Sequence, residues 1–87
     1  MISNLAHVHP DAKLGENVSV GPFTNIEAEV TIGDNTKIWH FNHILSNTNI
    51  GKNCSFGQNV VAGPNVNIGN NVKVQNNVSI YDGITIE

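Results

Sequence analysis

The residues best suited to chemistry in this sequence are spaced eighteen positions apart. His40, Gln58 and Asn76 form such a series, and Tyr81 and Asp82 follow shortly after it. An imidazole can accept a proton near neutral pH, side-chain amides can hydrogen-bond hydroxyl and phosphate groups, and an aromatic ring can stack on a planar base. We predict a base at His40 or Asp82, and ligand contacts at Gln58, Asn76, Asn77 and Tyr81. Asn76 is the stronger candidate of the two asparagines, because Asn77 lies where Asn commonly closes a turn.

A six-residue repeat would bring His40, Gln58 and Asn76 to one edge of a fold, beside a corner that carries Tyr81 and Asp82. Every sixth residue from Ile2 to Ile86 is apolar, fifteen in all. The fourth residue after each apolar position is Ala, Val, Thr or Cys in twelve of fourteen hexads, the exceptions being Asn42 and Ile84. All three prolines lie two residues after the apolar position, and Asn is frequent one residue later. Each hexad is therefore predicted to be a short strand followed by a corner with positive φ.

A longer period of eighteen predicts how the hexads stack. The segments Leu14-Gly-Glu-Asn, Ile32-Gly-Asp-Asn, Ile50-Gly-Lys-Asn and Ile68-Gly-Asn-Asn repeat at that spacing. Three hexads per coil predict an all-β parallel β-helix of about five triangular coils, stacked about 4.8 Å apart. An ordinary sandwich would instead show a period of two and irregular turns. Residues 1–87 form one domain, and we expect it to be truncated at its C-terminus, because repeat arrays need a cap over the last coil.

Two hexads break the repeat, and sites tend to occur where local rules are broken. One is Ile38–His43, with Trp39, Phe41 and Asn42 at unusual positions, and the other is Ile80–Thr85. For His40 two interpretations stay open, a solvated corner histidine or a substrate contact. His43 is predicted to face outward at a surface or subunit interface. Phe23 and Phe41, eighteen apart, are predicted to stack, and Cys54 is predicted to be a small core residue.

Composition excludes several classes of function. The chain has four lysines, no arginine and seven acidic residues, for a formal net charge of −3, whereas nucleic-acid binding needs clustered cations. No apolar run is long enough to span a membrane, and no leader opens the chain. Cys54 has no disulfide partner, and no Cys/His spacing is typical of a metal site. We expect a cytoplasmic protein that needs no metal and binds neither nucleic acid nor membrane.

Hexads of the form Ile-Gly-x-x-Val-x resemble the hexapeptide-repeat acyltransferase superfamily. The segments Lys37-Ile-Trp-His-Phe-Asn-His-Ile44, Phe56-Gly-Gln-Asn-Val60 and Val74-Gln-Asn-Asn-Val-Ser-Ile-Tyr-Asp-Gly83 resemble a narrower group. That group comprises bacterial nucleotide-sugar N-acetyltransferases, particularly those that acetylate the 3-amino group of a UDP-linked 2-acetamido-3-amino glucuronic acid. The resemblance implies a left-handed β-helix, a homotrimer, and acetyl transfer from acetyl-CoA to a UDP-linked amino sugar in O-antigen or lipopolysaccharide precursor synthesis. Members of the group are longer, so much of the acetyl-CoA groove would lie outside these residues.

Other functions stay open beside this one. A non-catalytic hexapeptide-repeat module, or a fragment that is inactive by itself, would show the same repeat. The γ-type carbonic anhydrases share the fold and bind zinc through three histidines, but no third histidine follows His40 and His43 in a later coil, and arginine is absent. An ice-binding β-helix would show regular Thr ladders on a flat face, whereas the outward positions here are mixed.

Overall fold

The computed structural model describes residues 1–87, which form the parallel β-helix expected from the repeat, with the left hand that the resemblance implied. It contains no helix long and apolar enough to cross a membrane. Fourteen two-residue strands follow one another along the chain: β1 (His7–Val8), β2 (Lys13–Leu14), β3 (Ser19–Val20), β4 (Asn25–Ile26), β5 (Thr31–Ile32), β6 (Lys37–Ile38), β7 (His43–Ile44), β8 (Asn49–Ile50), β9 (Ser55–Phe56), β10 (Val61–Ala62), β11 (Asn67–Ile68), β12 (Lys73–Val74), β13 (Ser79–Ile80) and β14 (Thr85–Ile86).

The strands form three parallel sheets, which are the flat faces of a triangular prism. Face A contains β3, β6, β9 and β12; face B contains β1, β4, β7, β10 and β13; face C contains β2, β5, β8, β11 and β14. Each strand pairs with the strand eighteen residues later, as in the register Val20↔Ile38. Sheets of four or five strands make slightly fewer coils than the five predicted. The three edges are named AB, BC and CA after the faces they join.

The repeating apolar position fills the interior. Eleven of the fifteen hexad residues are buried, and the four that are only partly buried or exposed lie in the terminal coils, with Ile2 40% exposed. The largest and smallest members, Phe56 and Ala62, lie in the same coil and both are fully buried. Because interiors are close-packed, pairing a large with a small residue keeps the volume of that coil nearly constant. The period of six is therefore the direct cause of the prism.

The corners have the predicted left-handed backbone. From Asn17 to Asn77, every residue three positions after a hexad residue has a φ between 58° and 63°. Eight of these eleven are Asn, whose side chain tolerates this conformation. Phe23 (φ 61°) and Phe41 (φ 60°) have no such advantage, and a non-glycine residue here costs about 1–3 kcal/mol. Their rings stack at a centroid distance of 5.4 Å and 11°, which confirms the predicted pair and offsets about 0.5–1.5 kcal/mol of that cost.

Buried polar side chains tie successive coils together. Thr36 Oγ1 donates to Gly51 O at 2.7 Å and accepts from Cys54 N at 3.2 Å. Cys54 is a buried free cysteine, as expected of a small core residue, and its Sγ donates to Gly69 O at 3.1 Å. Backbone groups at the corners would otherwise lack partners, so these side chains complete the hydrogen bonding of the chain where it leaves the sheet.

Candidate functional site

Edge AB carries the most irregular surface of the prism. The residues that directly follow the four strands of face A begin this edge, and on successive coils they are Gly21, Trp39, Gly57 and Gln75. A small residue therefore alternates with a large one along the edge, and each glycine leaves a notch beside the Trp39 side chain. We call these the Gly21 notch and the Gly57 notch.

The Gly57 notch brings together three of the predicted site residues, His40, Gln58 and Asn76. It is a groove of about 480 Å³, and seven of its nine lining residues are not hydrophobic. The prediction missed four of the other residues that line it: Trp39, Ser55, Lys73 and Gln75. The spacing of eighteen could have identified two of these residues, because Ser55 and Lys73 are eighteen positions apart and pair across neighbouring strands of face A.

The Gly21 notch lies on the other side of Trp39 and has a different character. It is a groove of about 410 Å³ lined by Met1, Ser3, Ser19, Val20, Gly21, Pro22, Lys37, Ile38, Trp39 and His40. Its surface is largely apolar, whereas the surface of the Gly57 notch is nearly half polar. Trp39 and His40 line both grooves. The two residues thus form a ridge between a polar and an apolar cavity.

The backbone of this ridge is firmly held. Trp39 O accepts hydrogen bonds from Thr24 Oγ1 at 2.8 Å and from Asn42 Nδ2 at 3.3 Å. Asn42 is buried at the small inward position, and its amide also donates to Gly57 O at 2.7 Å and accepts from Val60 N at 2.7 Å. The polar residue that breaks the hexad pattern therefore connects the Trp39 corner to the floor of the Gly57 notch.

His40 has an imidazole ring that is available to a ligand at this ridge. Its ring is half-buried and meets the Phe41 ring edge-on, with centroids 5.1 Å apart and 72° between the planes. Neither ring nitrogen is hydrogen-bonded within the chain. An imidazole in this position can accept a proton from, or hydrogen-bond to, a bound ligand.

Asn76 and Asn77 have different roles in the corner below the notch. Asn76 Oδ1 accepts from Gln58 N at 2.9 Å, and Asn70 makes the same link to Lys52 N at 2.8 Å on edge CA. The oxygen of Asn76 is thus structural, and its Nδ2 group is left for a ligand. Asn77 has a φ of 60° and donates its backbone N–H to Gln58 O, and its side chain does not line the notch.

The structure does not bring Tyr81 and Asp82 to this groove. They follow β13 of face B and lie on edge BC, because one hexad step moves a residue to the next edge of the prism. Tyr81 is 71% exposed. Asp82 Oδ1 accepts from Asn65 Nδ2 at 3.1 Å. Asn76 accepts a hydrogen bond from the backbone N–H eighteen residues earlier. Asp82 cannot do the same, because the residue eighteen positions before it is Pro64, which has no backbone N–H.

Charge is segregated over the surface. Lys37 and Lys73 point outward from face A, and Ser55 lies between them in register. Neither face A nor edge AB carries an acidic residue, since Asp11, Glu16, Glu27, Glu29, Asp34, Asp82 and Glu87 all follow strands of the other two faces. The Gly57 notch is therefore lined by one cation, Lys73, and by no acidic residue, in a chain with net charge −3, and it favours an anionic over a cationic ligand.

A second polar cluster, not foreseen from the sequence, lies on face B and edge BC. Glu27 Oε2 is 2.6 Å from His43 Nε2, and Glu27 Oε1 accepts from Ser46 N at 3.2 Å and Ser46 Oγ at 3.1 Å. The hydrogen bond from His43 holds the pKa of the Glu27 carboxyl below its usual value, with Ser46 assisting and burial opposing. His43 is half-exposed on its flat face, as predicted. No group of three or more His, Cys, Asp or Glu residues is placed to hold a metal ion.

Comparison with known proteins agrees with the repeat. Residues 29–64 match the family "Bacterial transferase hexapeptide (six repeats)", and residues 47–82 match "Hexapeptide repeat of succinyl-transferase". The bifunctional protein GlmU of Clostridium perfringens is 36% identical over 55 residues, which are 63% of this chain and 12% of GlmU.

Two solved structures are similar over nearly the whole chain. LpxA, a UDP-N-acetylglucosamine acyltransferase from Bacteroides fragilis, superposes with a TM-score of 0.92 and 35% identity, covering 98% of this chain and 41% of that one. The UDP-N-acetylglucosamine acyltransferase of Francisella novicida gives a TM-score of 0.79 and 27% identity, covering 99% and 43%. The chain thus spans less than half the length of these enzymes. The neighbours are not specifically the amino-uronate N-acetyltransferases of the narrower resemblance. The fold, the hexads and the two family matches support the similarity of this chain to the hexapeptide-repeat acyltransferase superfamily.

Proposed function

We propose that this chain belongs to an enzyme that transfers an acetyl group from acetyl-CoA to the amino group of a UDP-linked amino sugar, in the synthesis of surface polysaccharide precursors. The observation that carries the proposal is the ridge on edge AB, where His40 borders both a polar and an apolar groove. A reaction between a polar sugar and an acyl thioester needs two such surfaces side by side. Similarity to two UDP-N-acetylglucosamine acyltransferases supports the substrate class.

The chemistry is direct acyl transfer. The neutral sugar amine attacks the thioester carbonyl, a C–N bond forms, the C–S bond breaks, and the thiolate of CoA leaves. Backbone or amide N–H groups stabilise the oxyanion that forms on the way. The proton lost by the amine goes either to His40 or to the departing thiolate, which then leaves as the thiol. Asp82, the other proposed base, accepts a hydrogen bond from Asn65 on a different edge, so His40 is the better candidate.

Two further properties belong to the proposal, assembly into a homotrimer and a cytoplasmic location. Three prisms packed side by side around one axis would place an edge of one subunit against a face of the next. A neighbouring subunit could then supply groups that complete edge AB. Sedimentation equilibrium of the purified protein measures the assembly, and a monomer at micromolar concentration would contradict it.

Thiol release from acetyl-CoA tests the reaction. It is measured with a panel of UDP-amino sugars, on this chain and on any longer natural polypeptide that contains it. Release with a 3-amino uronate is the expected result, and His40→Gln is expected to lower its rate about 10²-fold or more, whereas Asp82→Asn leaves it unchanged. A well-folded protein that releases no thiol with any acceptor would refute the proposal and leave a non-catalytic repeat module.

A further inference from the structure

We infer that the Gly57 notch binds a nucleoside diphosphate, with the Trp39 indole stacked on the base and the Lys73 ammonium and Ser55 hydroxyl on the diphosphate. This subsite belongs to the site proposed above, and the identity of the group attached to the nucleotide rests on the proposed function. It also replaces Tyr81, which lies on edge BC, as the aromatic partner of the base.

Trp39 has the properties of a stacking platform. Its side chain is 57% exposed, and its ring makes no aromatic pair within the chain, whereas Phe23 and Phe41 stack on each other. The two hydrogen bonds to Trp39 O fix its backbone before a ligand arrives. A planar base on this indole would cover apolar surface that the folded chain leaves in water.

The floor of the notch depends on the absence of a side chain at Gly57. A methyl group added to Gly57 would collide with Asn76 Oδ1, and that oxygen is held by its hydrogen bond from Gln58 N. Gly57 therefore leaves the space that the Asn76 side chain occupies, and both residues line the notch beside Trp39. The opposite wall is formed by Gln75, whose amide can hydrogen-bond the edge of a base.

The cation at the end of the groove is free to bind phosphate. Lys73 is exposed and makes no ion pair within the chain, and it lies in register beside Ser55. An ammonium with a neighbouring hydroxyl donor suits the oxygens of a diphosphate. Nucleoside diphosphates occur both in nucleotide sugars and in the adenylate half of CoA, so the same chemistry has two sources.

Fluorescence of Trp39, the single tryptophan, measures this binding directly. UDP, ADP, uridine and inorganic pyrophosphate are titrated at about 0.15 M salt, where charges more than about 8 Å apart are largely screened. We expect saturable quenching by the nucleoside diphosphates and weaker binding of uridine and pyrophosphate. Tighter binding of UDP identifies the sugar nucleotide as the source, and tighter binding of ADP identifies CoA.

Matched variants locate the subsite. Lys73→Gln is expected to raise the Kd for UDP about tenfold, as for loss of one charge-assisted hydrogen bond. Lys37→Gln removes the same charge on the Gly21 side of Trp39 and leaves the Kd nearly unchanged. Trp39→Ala, followed by calorimetry, raises the Kd about tenfold, and Tyr81→Phe has no effect. Circular dichroism confirms that each variant is folded.

Three outcomes would overturn the subsite: no quenching by either nucleoside diphosphate, equal binding of pyrophosphate and UDP, or a larger effect of Lys37→Gln than of Lys73→Gln. Binding of UDP without thiol release would keep the subsite and refute acetyl transfer. Thiol release without UDP binding at Trp39 would refute the subsite and keep the reaction.

Discussion

Asn42 is the residue whose replacement should most clearly couple stability to the candidate site. It is only 2% exposed, and its side chain makes hydrogen bonds to Gly57 O, Trp39 O and Val60 N. In Asn42→Val all three are lost in a place that water cannot reach. Each contributes about 1 kcal/mol net, and the valine methyl groups recover about 1 kcal/mol of burial. The variant should be less stable than the parent by about 2 kcal/mol.

Thr36→Val is the matched control for this change. Thr36 occupies the equivalent inward position on edge CA and makes two hydrogen bonds, to Gly51 O and from Cys54 N. Its replacement by valine should cost about 1 kcal/mol. Urea unfolding followed by far-UV circular dichroism gives both values. The emission of Trp39 and its quenching by UDP should change in Asn42→Val only, because Asn42 donates to Trp39 O and Thr36 does not. Equal stability of the two variants, or unchanged Trp39 emission in Asn42→Val, would refute the reasoning.

Two further predictions concern the edges of the prism. Gly57→Ala should lower the free energy of unfolding by about 1 kcal/mol, because the new methyl group displaces Asn76 Oδ1 from its hydrogen bond. Gly69→Ala should lower the urea midpoint less, because a methyl group on Gly69 would lie 3.3 Å from its nearest neighbour, Glu87 Cα. A larger effect of Gly69→Ala would contradict this prediction. The lowered pKa of Glu27 stabilises the fold above the usual value of 4.5, and that contribution is lost as the pH falls through the lowered pKa. Glu27→Gln, which weakens the link to His43, should therefore reduce the thermal midpoint near neutral pH but hardly at all at strongly acidic pH, and an equal reduction at both would rule out the pair.

Periodic features of the fold could be predicted from the sequence because the backbone repeats them. A residue every six positions points inward, and residues eighteen apart lie one above another, so the core, the positive-φ corners and the Phe23–Phe41 stack all followed. The same rule placed His40, Gln58 and Asn76 along one groove. Tyr81 and Asp82 were expected at the neighbouring corner because their hexad breaks the repeat, and they lie there, on edge BC and outside the Gly57 notch. Proximity in the chain is misleading in this fold, since the next corner is on another edge.

Features that depend on side-chain shape were harder to predict. The Gly57 notch exists because Gly and large residues alternate in one column, a pattern visible in the sequence once the column is written out. The Glu27–His43 contact joins an edge residue to a face residue sixteen positions later. That spacing matches no repeat of the backbone, so the contact depends on side-chain conformations that periodicity does not determine.

A nuclear magnetic resonance titration of the isotope-labelled chain with UDP shows directly whether the Gly57 notch on edge AB is the ligand site. We expect the resonances of the Trp39 indole N–H and of the backbone amides of Gly57, Gln58 and Gln75 to shift together along one binding curve. Shifts centred on Tyr81 and Asp82, or none at saturating UDP, would contradict it.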